Sequence, residues 1–192
     1  MIFQNMEFHN VEEMLKSDKG YQMLRIPSYV RKELNPAARD EVCLYSTGVE
    51  IRFRIKGEAA TLILSVDENA EAQVAYIYYG FFQGGWQYSS KIINGETRIT
   101  IPKSGNLSIL KEITKAEKLP FDPELVRVVL PYGTCYFVGI DGEVEPPKKA
   151  DLPKVRYLAY GSSITHGSLS LAAPYTYPFR ISQMLKTDYY NL

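Results

Sequence analysis

A chain of 192 residues with 45% apolar and 23% charged side chains has the composition of a globular protein that builds its own hydrophobic core. Lys and Arg total 22, Asp and Glu also total 22, so the formal net charge is zero and no run of like charge marks a tail. That balance excludes the basic face a nucleic acid would need, and no apolar stretch is long enough to cross a bilayer.

Residues 1–14, MIFQNMEFHNVEEM, lack the basic start and apolar run of a secretory signal, so a soluble, cytoplasmic setting is expected. Asn10, with Glu13 three positions later, predicts the capped start of a short helix. Residues 20–40 contain Pro27 and Pro36 and hold no sustained period; they read as irregular, with one strand near Tyr29.

From residue 42 the period becomes two. In GVEIRFRIKG, Val49, Ile51, Phe53 and Ile55 alternate with Glu50, Arg52, Arg54 and Lys56, which predicts a strand with one buried and one wetted face. TLILSVD places Leu62, Leu64 and Val66 on one face, and AQVAYIYYGFF is apolar or aromatic on both. ETRITIP, LVRVVLP and TCYFVGIDGEV complete a run of short strands separated by turn residues. No helical period stands out between residues 48 and 145, so a mainly β fold is expected, an antiparallel sandwich or jelly roll over residues 1–147. Cys43 and Cys135 lie in strand-like segments and read as buried thiols. With only His9 and His166 beside them, no metal site or cofactor is expected, and His9 reads as structural.

Residues 145–153, EPPKKADLP, interrupt this pattern, and a linker is placed at 148–154. The grammar then changes. VRYLAY reads as a strand buried on both faces, as in a parallel sheet. Residues 176–186 read as a helix with Thr176 as cap, Pro178 in the first turn, and Tyr177, Ile181, Met184 and Leu185 on one face. DYYNL opens a second strand, so residues 155–192 form the first β-α-β portion of an α/β unit.

The strand-to-helix turn at 160–167, YGSSITHG, is neither a phosphate loop nor an esterase elbow. No Lys follows Gly167 as GxxxxGK[ST] demands, and Thr165 stands where GxSxG requires its last glycine. The turn resembles the first motif block of the SGNH, or GDSL-type, hydrolases, and the TYP segment, helix and terminal Asn-Leu resemble that family's run into its second strand. The resemblance covers residues 155–192, and a sandwich before such a domain occurs in two-domain carbohydrate esterases and some acyltransferases. It implies a flavodoxin-like α/β domain with Ser163 as nucleophile and its amide as first oxyanion-hole donor. Gly161, Ser162, Thr165 and His166 are then supporting or substrate-facing residues. Ser162 replaces the motif's usual Asp, as in relatives reading YGSSIT.

The family's later oxyanion donors and its late Asp-x-x-His have no counterpart in residues 1–192, so the resemblance implies a nucleophile without its base, and no turnover by these residues alone. His166 lies three residues past Ser163; because a working base must be held by a third group, it reads as a rim residue touching substrate or solvent. The expected function is the N-terminal part of a serine esterase acting on a small acyl ester, an O-acetylated carbohydrate among the candidates. The other reading is a non-catalytic carbohydrate-binding or docking module. Tyr76, Tyr78, Tyr79, Phe81, Phe82, Trp86 and Tyr88 form the densest aromatic group, suited either to packing or to stacking on sugar rings.

Overall fold

The computed structural model describes residues 1–67, 71–85 and 87–192. Two antiparallel sheets face one another. The larger runs β1 (Ile2–Phe3), β2 (Met6–His9), β5 (Glu50–Ile55), β11 (Leu125–Val129), β7 (Gln73–Tyr79) and β8 (Phe82–Gln83) in hydrogen-bonded order, with β13 (Val144–Glu145) on β5 and β9 (Ser90–Ile93) on β7. The smaller runs β10 (Glu96–Pro102), β6 (Ala59–Ser65), β12 (Tyr136–Asp141), β4 (Gly20–Leu24) and β3 (Glu13–Ser17). β14 (Arg156–Ala159) and β15 (Asp188–Asn191) form a separate parallel pair. The helices are α1 (Ser28–Arg31), α2 (Pro36–Asp40), α3 (Leu107–Glu117), α4 (Ser163–His166) and α5 (Tyr177–Leu185). Among the described residues no helix is long and apolar enough to cross a membrane.

Alternation explains the core. Phe8, Ile51, Phe53, Ile77 and Val128 from the larger sheet meet Leu62, Leu64, Ile99, Ile101 and Phe137 from the smaller, and the Phe8 and Phe137 rings sit edge to face at 5.0 Å. Each such side chain contributes about 1.5–3 kcal/mol by leaving water.

Several segments depart from the sequence reading, each for a physical reason. No helix starts at Asn10. That residue takes a left-handed backbone (φ 60°) in the turn between β2 and β3, and Glu13 lies on β3. Glu13 does cap a helix, but a different one: its carboxylate accepts the Ser28 amide at 2.6 Å at the start of α1. That bond also lowers its pKa. The strand of this region is β4, whereas Tyr29 lies in α1. α2 carries a sequence signature in Asn35-Pro36, an Asx cap followed by Pro at the first helical position, with Asn35 Oδ1 accepting the Ala38 amide at 3.0 Å.

α3 is a helix inside the span read as strands. Only Leu107, Leu110 and Thr114 turn inward, and only half-buried, while Ile109 and Ile113 face out, which blurs its period. Cys43 sits in a 3-10 turn (Val42–Leu44) and Cys135 just before β12; both are free and buried.

The largest departure is β5. Its charged face is not wetted: Glu50 and Arg52 are buried at 1% and 0% exposure. The parallel β14–β15 pair and α5 lie over this face. Arg52 reaches Asp188 on β15 at 2.7 Å, and Tyr78, Val129, Ala159, Phe179 and Tyr189 close an apolar cluster beside it. β14 shows the converse. Read as buried on both faces, it is open on one, where Arg156 and Leu158 are exposed, while Tyr157 and Ala159 face the seam cluster. On α5 the stripe of Tyr177, Met184 and Leu185 also faces outward. The helix is seated instead by Pro178, Phe179 and Ser182. Thr176 occupies the N-cap position, but its hydroxyl donates to Ala173 O and caps nothing.

Candidate active site

β14 ends at the buried Ala159, and the chain turns through Tyr160, Gly161 and Ser162 into α4, one helical turn that begins with Ser163. Ser163 is exposed, and among the described residues its hydroxyl has no hydrogen-bond partner. Its carbonyl accepts the amides of Gly167 (3.0 Å) and Ser168 (2.8 Å), which closes the turn beneath it. Both glycines of the motif have a steric reason. A methyl at Gly161 would run into Thr165 Oγ1 and lie 2.9 Å from Thr165 Cβ. Gly167 ends α4 at φ 116° with Thr176 Cγ2 2.9 Å from where a side chain would start. Gly161→Ala is therefore expected to cost about 2–3 kcal/mol by overpacking. Urea unfolding measures the cost, and loss of amide protection at His166 and Gly167 locates it.

The Ser163 hydroxyl has no partner among the described residues, so its neighbours set its place. Thr165 is buried, its hydroxyl 2.7 Å from Tyr177 Oη on α5 and its carbonyl accepting Asn191 Nδ2 at 3.0 Å. Asn191 is fully buried, and its own carbonyl accepts from Arg25 Nη1 (3.0 Å) and Asn10 Nδ2 (3.0 Å). Ser162 is exposed and makes no side-chain capping bond.

His166 is not at the rim. It is 5% exposed, with Nε2 2.5 Å from Arg25 Nη2 and its ring between Tyr45 and Tyr132. Burial, then the Arg25 cation, hold its pKa down to about 4. A guanidinium only donates, so Nε2 is the acceptor and the lone pair a general base would need is already engaged. His9 is equally committed. Its Nε2 donates to Tyr189 O at 2.5 Å, and burial followed by the Arg52 cation lower its pKa to about 4.

A buried ionic group lies under the β15 end of the seam. Glu50 Oε2 accepts Arg52 Nε and Arg127 Nε, both at 2.8 Å, and Oε1 accepts Arg127 Nη2 at 2.6 Å. Arg52 also pairs with Asp188, and the Phe121 ring lies 3.7 Å from the Arg127 guanidinium. Burial would raise the Glu50 carboxyl, but the Arg127 and Arg52 charges outweigh it and hold it well below the usual carboxylate range. The same contest, won by Arg52, lowers Asp188. Sequence reading found none of these residues as site-forming, nor Arg25, Asn10 or Asn191. The one available signal was three charges in β5 facing Arg127 in β11, where Arg52 and Arg127 are register partners and require an acid between them.

The aromatic group divides. Tyr79 is core, Tyr78 packs on Phe179 across the seam with the half-buried Tyr76 against the same cluster, and Phe81, Phe82 and Tyr88 are half-buried; Trp86 lies outside the described residues. Phe82 and Tyr88 line a cleft of about 460 Å³ with Gln83, Lys103, Ser104 and Asn106. Among the described residues no three His, Cys, Asp or Glu side chains converge as they would on a metal ion.

Two solved structures are similar to this arrangement. The salicylyl-acyltransferase SsfX3 from a tetracycline biosynthetic pathway aligns at TM-score 0.66 and 12% identity, over 98% of this chain and 51% of its own. A Bacteroides ovatus ATCC 8483 protein assigned as a GDSL-like lipase aligns at TM-score 0.55 and 16% identity, over 97% of this chain and 55% of its own. The fold is thus GDSL/SGNH-like: two antiparallel sheets followed by the parallel β14–β15 pair, with α4 and α5 between its strands in sequence. The chain spans about half the length of each structure it matches. No family model and no curated protein matches the sequence.

Proposed function

We propose that these residues are the N-terminal half of a GDSL/SGNH-type serine ester hydrolase in which Ser163 is the nucleophile. Residues 1–147 are then the sandwich domain, 148–154 the linker, and 155–192 the start of the catalytic domain. The observation that carries this is the Ser163 turn: an exposed serine with a free hydroxyl, just past the end of a parallel strand, on a one-turn helix anchored through Thr165 and His166. The likeness to an acyltransferase and to a GDSL-like lipase supports it.

In this reading the Ser163 oxygen attacks the ester carbonyl while a base takes its proton. The tetrahedral oxyanion is met by the Ser163 amide, which makes no bond to a backbone carbonyl among the described residues. The alcohol leaves with a proton, and water resolves the acyl-enzyme. α4 has four residues, so the amide itself, not a helix macrodipole, supplies the field. His166 Nε2 is engaged by Arg25 and His9 Nε2 by the Tyr189 carbonyl, so in this reading the base comes from elsewhere in the complete enzyme. The substrate is a small acyl ester, with acetylated carbohydrates as the first to try. Covalent labelling tests the reading: a fluorophosphonate is expected to add to Ser163 in the complete enzyme, mapped by peptide mass spectrometry. Labelling of another serine alone would sink it.

A second reading rests on the 460 Å³ cleft, whose aromatic rings (Tyr79, Phe82, Tyr88) and amide side chains (Gln83, Gln87, Asn106) suit a sugar ring and its hydroxyls. There the sandwich is a carbohydrate-binding module. Sugar affinity in a protein whose Ser163 resists the phosphonate would favour it.

A further inference from the structure

We propose that Arg25, a residue of the β-sandwich, is a positioning residue for the turn that carries Ser163, acting through His166 and Asn191; its catalytic meaning rests on the nucleophile reading above. Arg25 follows β4 directly and is 3% exposed. Its fork donates to Tyr45 O (3.2 Å), Val42 O (3.3 Å), Asn191 O (3.0 Å) and His166 Nε2 (2.5 Å). Among the described residues no carboxylate pairs with it, so carbonyl and imidazole lone pairs are what compensate a buried cation.

That geometry determines the state of the imidazole. Nε2 must present a lone pair, so the proton lies on Nδ1, and Nδ1 is buried with no partner of its own among the described residues. The ring is therefore held at one nitrogen, by Arg25, and between two faces: Tyr45 stacked at 5.7 Å and Tyr132 edge-on at 5.3 Å. His166 is the last residue of α4, and Ser163 the first. Arg25 reaches the same turn by a second path, because it holds the carbonyl of Asn191 while the Asn191 side chain holds the Thr165 carbonyl. Lysine cannot replace this role in full, since one ammonium cannot span the four acceptors in the plane of a fork. The sandwich is thus part of the device that places the serine.

The clamp is tested without turnover, on the complete enzyme. Ring ¹⁵N shifts are expected to show His166 as the neutral Nδ1–H tautomer from pH 5 to 8. In Arg25→Met the ring should lose that single tautomer, and the amides of His166, Gly167 and Ser168 should exchange about 10-fold or more faster, while Ile51 and Val128 in the sandwich core keep their protection. Arg25→Lys should fall between. An Nε2–H tautomer in the unmodified protein, unchanged exchange at 166–168, or equal acceleration throughout the sandwich would overturn the proposal. Should Arg25→Met fail to fold, His166→Gln, which still offers an oxygen to Arg25, is compared with His166→Leu, which does not. Only the latter should loosen the turn, and equal behaviour of the two would count against the clamp. Ser163→Ala leaves the tautomer and exchange pattern in place, so failure of the nucleophile reading and failure of the clamp are told apart.

Discussion

Glu50→Gln is expected to lower unfolding free energy by about 3–5 kcal/mol, the range for removing one member of a buried ion pair and stranding its partner. Two cations lose this carboxylate, since Arg52 and Arg127 share it and both are buried, at 0% and 5% exposure. Arg52 keeps Asp188 and a longer contact to Glu7, whereas Arg127 has no second carboxylate among the described residues and keeps the Gly80 carbonyl, at 3.1 Å, and the Phe121 and Tyr78 rings. Gln preserves shape, so the loss reports charge and not a cavity. Urea titration at neutral pH measures it, and a loss under about 1 kcal/mol would show that the cluster tolerates an uncompensated cation. A half-exposed pair such as Lys111 and Glu124 is the control; removing it should cost less than about 1 kcal/mol.

The pH dependence of stability follows the same groups. Glu50 and Asp188 have depressed folded-state values against ordinary ones of 4.5 and 3.8, so their stabilisation is complete above those values and is lost as the pH falls below them. His9 and His166 stay neutral in the fold down to about 4, whereas an unfolded histidine takes its proton near 6.5. Between 6.5 and 4 protons therefore favour the unfolded chain. The urea midpoint should fall from pH 6.5 downward, and the Glu50→Gln protein should show a shallower slope below pH 4.5.

Ser163→Ala is expected to reduce hydrolysis of small acetyl esters by the complete enzyme about 10³-fold or more, since a covalent route cannot start without the hydroxyl. Stability should stay within about 0.5 kcal/mol of the parent, because the side chain is exposed and has no hydrogen-bond partner among the described residues. kcat at saturating substrate, with a urea titration of the same preparation, separates the two effects. Hydrolysis that survives the substitution would remove Ser163 from its proposed role.

Legibility from sequence tracks how local the determining physics is. Alternation in GVEIRFRIKG, TLILSVD and ETRITIP predicts β5, β6 and β10, because a two-residue period and a buried face are properties of the segment itself. The YGSSITHG turn is equally readable: Gly161 is required by its contact with Thr165 four residues on, and Gly167 by its positive φ. α3 escaped because a helix with a half-buried stripe has little pattern to show.

What only the tertiary structure decided lies along the seam. Glu50 and Arg52 look like a solvated face until Asp188, far along the chain, is folded over them and water is excluded. His166 beside an exposed serine reads as a rim residue until Arg25, 141 residues earlier, claims its lone pair. The sequence by itself determined a mainly β sandwich, the β-α-β arrangement after it, and Ser163 as the residue to test. Which charges are buried and which histidine nitrogen is free depended on the docking of the two parts. Those properties belong to pairs of distant residues and arise only when both leave water together.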